Sequence, residues 1–455
     1  MRSERVAFSG WKSSGELGSA GLSYRFPMRV YFTNLGCKLN QAETERWARD
    51  FAAAGWQVAA EIEAADLHVV HSCTVTAEAE RSSRRAAGRG SRKGLPLRTV
   101  LAGCYATSHP EAAARAAGVD LIVSNAEKAD LLGHVHRAFP DLAPAAPPVE
   151  IDLPCFPAEP GRTRSFLKVE DGCDMRCAFC IIPSVRGGQR SRPLPEVVAD
   201  LRALAPTGRP GAPEIVVTGV QISSYRWQGL RLPGLVAALL DALPKGESAL
   251  RLRLSSIAPW EFDRRLLPLF SDPRLCRHLH LSLQSGAAAT LKRMRRPHTP
   301  ERYAELLAEI RVAVPGVAIT TDVIAGFPGE TDQDFEESLA FVRAADFAKI
   351  HAFPYSARPG TEAATLPGQL PPATIHARNA RLVALAAEAE RRHAERQVGR
   401  RANVLWENPR QGMGQGLTDD YVRVLCPEAL NLAGSFAPAD LVALAPDGVI
   451  GRLAA

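Results

Sequence analysis

Cys173, Cys177 and Cys180 stand in the run Gly172-Cys173-Asp174-Met175-Arg176-Cys177-Ala178-Phe179-Cys180. A C-x3-C-x2-C spacing folds three soft thiolates round one corner of a cube, and thiolate is the ligand type that selects iron–sulfur clusters. A structural zinc site needs a fourth ligand close by in the usual paired spacing, and none follows here. A 4Fe–4S cluster held this way keeps one iron without a protein ligand, open to bind and activate a small molecule. The bland alternatives are a closed zinc knob or incidental thiols.

Three more cysteines repeat the theme at longer range. Cys37, Cys73 and Cys104 each follow a strand-like run: Tyr31-Phe32-Thr33, Leu67-His68-Val69-Val70 and Val100-Leu101-Ala102. In a parallel sheet the C-terminal strand ends line one edge, so loops distant in sequence converge there. Three thiols at that edge suit a second cluster, again with an open iron, although cysteines are also commonly buried as small hydrophobes. Cys155, Cys276 and Cys426 have no partner pattern and read as structural thiols.

The elements that must position these residues fall into three regions. Residues 28–145 alternate short apolar runs with Ala-rich helical stretches such as Gln41 to Gly55, which predicts a parallel α/β sheet. A Pro/Ala-rich linker follows, placed at 146–162. Residues 163–390 resume the rhythm, with strands expected at Ser165–Val169, Glu214–Thr218, Leu250–Leu254, His278–Leu283, Ala318–Ile324 and Lys349–Pro354. Six βα units suit a partial (β/α)6 barrel with its chemistry at the C-terminal strand ends. Residues 394–455 are Gly-dotted and β-like, predicting a small separate β-barrel. Residues 1–27 read as a flexible extension without the apolar core of a secretion signal, and Met28 is a candidate initiator.

Composition bounds the function. The chain has 455 residues, 46% hydrophobic content and a net charge of +6. No apolar run approaches the ~20 residues of a membrane span, and nine cysteines in such a chain favour metal binding over a disulfide framework. The expectation is a soluble, cytoplasmic protein. The mild charge permits an anionic partner without demanding one.

Taken together, Leu35-Gly36-Cys37-Lys38-Leu39-Asn40-Gln41-Ala42-Glu43-Thr44-Glu45, Ser72-Cys73-Thr74-Val75-Thr76, Gly103-Cys104-Tyr105-Ala106 and the Cys173 run resemble the methylthiotransferase branch of the radical S-adenosylmethionine enzymes. The Gly-Cys-Lys-x-Asn-x-x-Glu-Thr signature most resembles the members acting on N6-threonylcarbamoyladenosine in tRNA. Members acting on isopentenyladenosine usually read Gly-Cys-Gln-Met-Asn there, and those acting on a ribosomal protein Gly-Cys-Pro-Lys-Asn. The resemblance implies an N-terminal methylthiotransferase domain, a partial radical SAM barrel and a C-terminal TRAM barrel. It assigns an auxiliary 4Fe–4S cluster to Cys37, Cys73 and Cys104 and the radical-generating cluster to Cys173, Cys177 and Cys180. One S-adenosylmethionine then supplies a methyl group to sulfur and a second is cleaved reductively. The product is a methylthio group on adenine C2 at tRNA position 37, an unactivated C–H that no acid or base can open. A low-potential electron donor and a sulfur donor are implied as partners.

Other residues are candidates for holding S-adenosylmethionine. Phe179 directly precedes the third cysteine. Thr218 and Gly219, with Val220 and Gln221, follow a strand where radical SAM barrels bind the methionine amine, and equally suit an ordinary βα turn. Ser282, Gln284 and Ser285 end a strand-like run and offer small polar groups to the ribose. Asp322 ends another strand, followed by the Pro-Gly turn of Gly326-Phe327-Pro328-Gly329. Tyr355 suits either base stacking or core packing.

For tRNA, and its anticodon loop in particular, Arg81, Arg84, Arg85, Arg89, Arg92 and Lys93 put six cations into thirteen residues after Cys73. Such a run can contact phosphates or simply be a solvated helix face. The C-terminal barrel adds little charge, with eight Arg against seven Asp and Glu from Arg391 onward. Its RNA role rests on the resemblance. Two other classes of function stay open: a radical SAM enzyme acting on a protein side chain, and a non-catalytic iron–sulfur RNA-binding protein. Lys38 and Thr44 speak against the first, and two incompletely ligated clusters against the second.

Overall fold

The computed structural model describes residues 28–143, 163–204, 213–244 and 250–454. The N-terminal extension, the linker at 146–162 and Cys155 lie outside them. Among the described residues no helix is long and apolar enough to cross a membrane.

The first unit is a five-stranded parallel sheet, built from β1 (Arg29–Asn34), β2 (Gln57–Val58), β3 (Leu67–Ser72), β4 (Arg98–Gly103) and β5 (Leu121–Val123) in the order β2-β1-β3-β4-β5. Strand β3 is buried along its whole length, as a central parallel strand covered on both faces must be. Helix α1 (Lys38–Ala53) begins three residues earlier than the Ala-rich pattern suggests, with Cys37 as its N-cap. Its Trp47 and Phe51 pack with Val30, Trp56, Leu67 and Val100 in the core of this unit.

The second unit is an open barrel. Strand β6 (Arg164–Lys168) is followed by a short hairpin, β7 (Glu170–Asp171) with β8 (Arg190–Ser191), and then by β9 (Glu214–Thr218) and β10 (Arg251–Leu254). The wall continues through β11 (Ser256–Ile257), β12 (His278–Leu281), β13 (Ala318–Ala325) and β14 (Lys349–Pro354). The sheets run β10-β9-β6 and β11-β12-β13-β14, all parallel. They join where Cys276 donates its backbone N–H to the Leu252 carbonyl at 2.8 Å. Among the described residues β6 and β14 end the two sheets without a further strand, and a helix covers each. Helix α1 packs against β6, where the Phe166 N–H donates to the Glu45 carboxylate at 3.4 Å. The helix Pro372–Glu395 packs against β14 and runs through the expected domain boundary at 390.

The third unit is a closed five-stranded barrel ordered β15-β16-β17-β19-β18, from β15 (Arg401–Arg410), β16 (Met413–Leu417), β17 (Arg423–Cys426), β18 (Phe436–Ala445) and β19 (Gly448–Leu453). Three of these strands coincide with the apolar runs Ala402–Trp406, Tyr421–Leu425 and Leu441–Leu444. Strand β16 is hidden because its pattern, Met-Gly-Gln-Gly-Leu, lacks β-branched residues. The glycines are there for close approach: a Cβ on Gly416 would stand 2.4 Å from Val404 Cγ1, and one on Gly414 2.6 Å from the Cys426 carbonyl.

A buried carboxylate fixes this barrel to the larger one. Glu214, at the start of β9, receives Arg251 Nε at 2.7 Å, Arg253 Nη2 at 2.8 Å and Arg164 Nε at 2.9 Å. Burial would raise its pKa, yet Arg253 and Arg251 hold it well below the ordinary carboxylate value. The same guanidiniums donate outward to the carbonyls of Leu417 and Asp419 at 2.9 and 3.0 Å, and Arg277 pairs with the Asp419 carboxylate at 2.8 Å. Tyr421 stacks on His278 at 4.7 Å and beneath Arg253 at 4.9 Å. Arg164, Glu214, Arg251 and His278 each open their strand, so the small barrel closes the end of the larger one opposite the C-terminal strand ends. Glu214→Ala would leave these guanidiniums buried and uncompensated, and should lower unfolding stability by about 3 to 5 kcal/mol. Urea unfolding checks this, and an unchanged midpoint would remove the carboxylate from this role.

Candidate functional site

The N-terminal sheet gathers its cysteines at one edge, as the spacing suggests. Cys37 follows β1, Cys73 follows β3 and Cys104 follows β4 as the first residue of a short helix, Cys104–Ser108. Gly36, at φ +97°, permits the approach: a Cβ there would stand 2.7 Å from Cys73 Sγ. Asn40 Nδ2 donates to the Leu35 and Ser72 carbonyls at 2.8 and 3.2 Å, pinning the first two loops together. Ser72 Oγ donates to the Ala102 carbonyl at 2.6 Å and accepts from Tyr105 N at 3.2 Å, pinning the third. Cys37 is exposed while Cys73 and Cys104 are buried. Burial pushes the Cys73 thiol up to about 11, and the neighbouring Cys104 and Cys37 add to the rise. Three converging thiols in an apolar setting fit a cationic metal, since coordination deprotonates a thiol outright. The N-terminus of α1 adds a favourable positive potential at Cys37.

The second cysteine set lies in the connection between β7 and β8, inside the hairpin that follows β6. Gly172, at φ +74°, is required by close packing, because a Cβ there would lie 2.0 Å from the Gly188 carbonyl oxygen. Cys180 N donates to the Cys177 carbonyl and Cys173 N to that of Gly187, both at 3.0 Å. Burial pushes Cys180 up to about 12, with Cys177 and Cys173 adding to the rise. Arg296 places Nη1 3.5 Å from Cys177 Sγ, with its guanidinium 5.8 Å from the Phe179 ring and 4.8 Å from that of Trp260. Phe179 therefore holds a cation beside the thiols. This set also fits a cluster.

The remaining candidates have mixed placements. Thr218 ends β9 and is buried, and the turn after it wraps a carboxylate the sequence reading passed over. Glu170 accepts from Gln221 N at 2.5 Å, and a Cβ on Gly219 would lie 2.2 Å from Glu170 Oε1. Burial raises Glu170 to about 7. Gln221 Oε1 lies 3.7 Å from Cys173 Sγ, so this turn does reach the cysteine segment. Gln284, at φ +74°, donates its N–H to the Asp322 carbonyl at 2.8 Å, whereas Ser285 Oγ accepts from Ala287 N at 3.2 Å within its own turn. Tyr355 sits edge-on to Phe327 at 5.5 Å. The basic run spans two helices, Ala77–Ala87 and Arg89–Arg92. Arg81 pairs with Glu78, Arg84 with Glu80 and Lys93 with Glu63, so half of its cations already face a carboxylate.

Asp322 lies among side chains that the sequence reading did not select. His280 Nε2 donates to Asp322 Oδ2 at 3.2 Å while its Nδ1 lies 3.0 Å from the Thr320 hydroxyl, and His351 lies directly across from Asp322 in the β13–β14 register. The alternation His278-Leu279-His280-Leu281 was the available signal: its leucines join the apolar core, leaving the histidines on the other face.

The two cysteine sets meet. Cys104 packs with Ile181 and Val185, the first of which follows Cys180 directly. Asn125 Nδ2 bridges the units, 2.7 Å from the Val185 carbonyl and 3.5 Å from Cys104 Sγ. Beneath lies Arg186, 3% exposed, donating to Asn40 Oδ1 at 2.5 Å, Asp171 Oδ1 at 2.9 Å and Glu43 Oε2 at 3.3 Å. Lys128 and Lys168 reach the same Glu43 carboxylate at 2.7 and 2.5 Å. Burial would raise Glu43, but Arg186 and the two lysines hold it well below the carboxylate range. Arg186→Met keeps the side-chain bulk and removes the charge. It should cost about 3 to 5 kcal/mol of unfolding stability, and denaturant unfolding showing no loss would discount the network as the joint between units.

Residues 29–124 match the Uncharacterized protein family UPF0004, and residues 167–342 match the Radical SAM superfamily. A threonylcarbamoyladenosine tRNA methylthiotransferase MtaB of Bacillus subtilis is 33% identical over 87% of this chain and 90% of its own length. The protein of that name from Thermotoga maritima is 34% identical over 92% and 96%. A tRNA-2-methylthio-N(6)-dimethylallyladenosine synthase of Cereibacter sphaeroides is 34% identical over 93% and 98%. Among solved structures, the radical S-adenosylmethionine methyltransferase TsrM from Kitasatospora setae superposes with a TM-score of 0.53 at 14% identity, over 74% of this chain and 75% of that one. That likeness is one of fold. With both cysteine segments inside the matched regions and relatives of this identity along most of its length, the chain belongs to the MtaB-like family of radical SAM methylthiotransferases.

Proposed function

We propose that this enzyme transfers a methylthio group to C2 of N6-threonylcarbamoyladenosine at position 37 of tRNA. The observation that carries the reading is the packing of Cys104 against Ile181 and Val185, which sets one three-thiol site against the other. Reductive chemistry and sulfur delivery need separate metal centres, because a single open iron cannot both activate S-adenosylmethionine and present sulfur. Cys173, Cys177 and Cys180 hold the first cluster, and Cys37, Cys73 and Cys104 an auxiliary one. When bound, the clusters supply an electron to the sulfonium of S-adenosylmethionine and a sulfur atom to the product. The chain orients and excludes water: Phe179 and Trp260 flank Arg296 beside one set, and the buried Arg186 network seals the base of the other. Thr218, Gly219, Gln284 and Ser285 line the strand ends where S-adenosylmethionine is held, whereas Asp322, expected to end its strand, lies within β13 (Ala318–Ala325). A low-potential electron donor and a sulfur donor complete the reaction.

The cations of Arg81 to Lys93 that lack a carboxylate partner contact the phosphates of the RNA. Identity to relatives named for threonylcarbamoyladenosine and to those named for dimethylallyladenosine is similar. The choice of nucleoside is therefore carried by Gly36-Cys37-Lys38-Leu39-Asn40.

Two measurements test the reading. Anaerobically reconstituted protein should carry about eight irons, as two 4Fe–4S clusters require. Changing Cys173, Cys177 and Cys180 together to Ala should halve that and abolish cleavage of S-adenosylmethionine. Iron near four per unmodified chain would remove the auxiliary cluster. In nucleosides from tRNA of cells lacking the gene, mass spectrometry should show the 2-methylthio form lost and its threonylcarbamoyl precursor accumulated. Loss of the methylthio group from an isopentenyl nucleoside instead would move the substrate assignment.

A further inference from the structure

We propose that His280, Asp322 and His351 form a binding site for a divalent transition-metal cation on the inner face of the larger barrel, built without any cysteine.

Three adjacent strands supply the set. His280 on β12 opposes Thr320 on β13, and Asp322, two residues further along β13, opposes His351 on β14. Side chains alternate along a strand, so Thr320 and Asp322 share a face. Leu279, Leu281, Ile319, Val323 and Ile350 belong to the apolar core on the other face, which leaves the polar residues on the inner one. One ligand atom from each of His280, Asp322 and His351 lies within 4.8 Å of the other two. Ligands about 2.1 Å from a shared ion stand roughly 3 to 4.2 Å apart, so small side-chain rotations close the set. The 3.2 Å between His280 Nε2 and Asp322 Oδ2 already falls in that range.

The surroundings prepare each ligand. Thr320 Oγ1 lies 3.0 Å from His280 Nδ1 and 3.0 Å from His278 Nε2. When a cation takes the place of the proton between His280 Nε2 and Asp322, the ring proton sits on Nδ1. Thr320 Oγ1 then accepts it, and the Thr320 hydroxyl donates in turn to His278. An outer hydrogen bond of this kind fixes the tautomer and orientation of a ligating histidine. His351 stands beside the pair, its ring centroid 5.8 Å from that of His280, and among the described residues no hydrogen bond engages its ring. Burial lowers the His351 pKa and keeps the ring neutral. Burial would raise Asp322, yet the His280 hydrogen bond holds its carboxyl below the ordinary value. A neutral imidazole and an ionised carboxylate are the forms that bind metal.

A His–Asp hydrogen bond accounts for His280 and Asp322 but not for a third ligand, its ring unengaged, at the same point. Two imidazoles and one carboxylate suit the first-row divalent ions from manganese to zinc. Three protein ligands leave coordination positions open, as catalytic metal sites do. A single carboxylate leaves the ion net positive, so those positions favour an anionic or carbonyl oxygen of a bound molecule.

The test uses the full-length protein with its clusters loaded and oxidised, and Mn²⁺ as the probe, a hard cation that neglects thiolates. Loss of the free-ion EPR signal should count a single Mn²⁺ per chain, and electron spin echo spectra of the bound ion should show nitrogen coupling from histidine. His351→Ala and Asp322→Ala should each weaken binding by at least about 10-fold. Thr320→Val, which removes only the outer acceptor, should weaken it by about 10-fold. The nitrogen coupling of the unmodified protein stands whatever the stability of the variants. Absence of stoichiometric binding, Mn²⁺ bound without nitrogen coupling, or binding that none of the three variants weakens would each overturn the site. Those results leave the methylthiotransferase reading intact, because the cysteine sets take no part in it.

Discussion

One buried ion network makes the rest of the site possible. Glu43 from α1 and Asp171 from the barrel's first hairpin are carboxylates that no apolar interior tolerates alone. Arg186, Lys128 and Lys168 neutralise them at hydrogen-bond distance. Removing either partner of such a pair strands a charge in low dielectric, so the network works as an all-or-none joint between the two units. Its position directs its effect. Arg186 lies six residues beyond Cys180 and donates to Asn40, which in turn pins the loops carrying Cys37 and Cys73. The joint that holds the units together therefore also registers one cysteine set against the other.

The barrel solves a second problem with the same physics. An open barrel leaves its N-terminal strand ends exposed, and the arginines there would repel one another. Glu214 gathers three of them, and their outward donors take up carbonyls of the β16–β17 turn. Charge thus closes the lower end with a separate small barrel while the upper end stays free for chemistry. Between the two lies an interior whose polar lining, His278, His280, Thr320 and Asp322, contrasts with the apolar outer face formed by Leu279, Leu281 and Ile319. A closed barrel of similar size would fill that space with packed aliphatic side chains. This one keeps it hydrophilic.

Much of this was legible in the chain. Ligand chemistry depends on residue type and short spacing, which is why the Cys173 set stands out as a candidate cluster site, and strand-end placement suggested the Cys37, Cys73 and Cys104 group, which the structure gathers at one sheet edge. Buried parallel strands also announce themselves as apolar runs, and the six barrel strands fall within a residue or two of their expected positions. The glycine-bearing strand β16 escaped because its residues were selected for close approach, which lowers the local β signal.

The sequence by itself determined the two cysteine groupings, the alternation of strands and helices and the family resemblance, because each is encoded in residue type and short-range period. Only the tertiary structure decided which distant charges would share a site. Glu43 with Arg186, Glu214 with three arginines, Glu170 with the turn at Gly219 and His280 with Asp322 join residues separated by tens to more than a hundred positions. A lone Lys or Glu in a sequence reads as surface, since burying it unpaired is prohibitive. Its partner becomes identifiable only once folding has brought the two into one low-dielectric space, where the pairing makes burial tolerable.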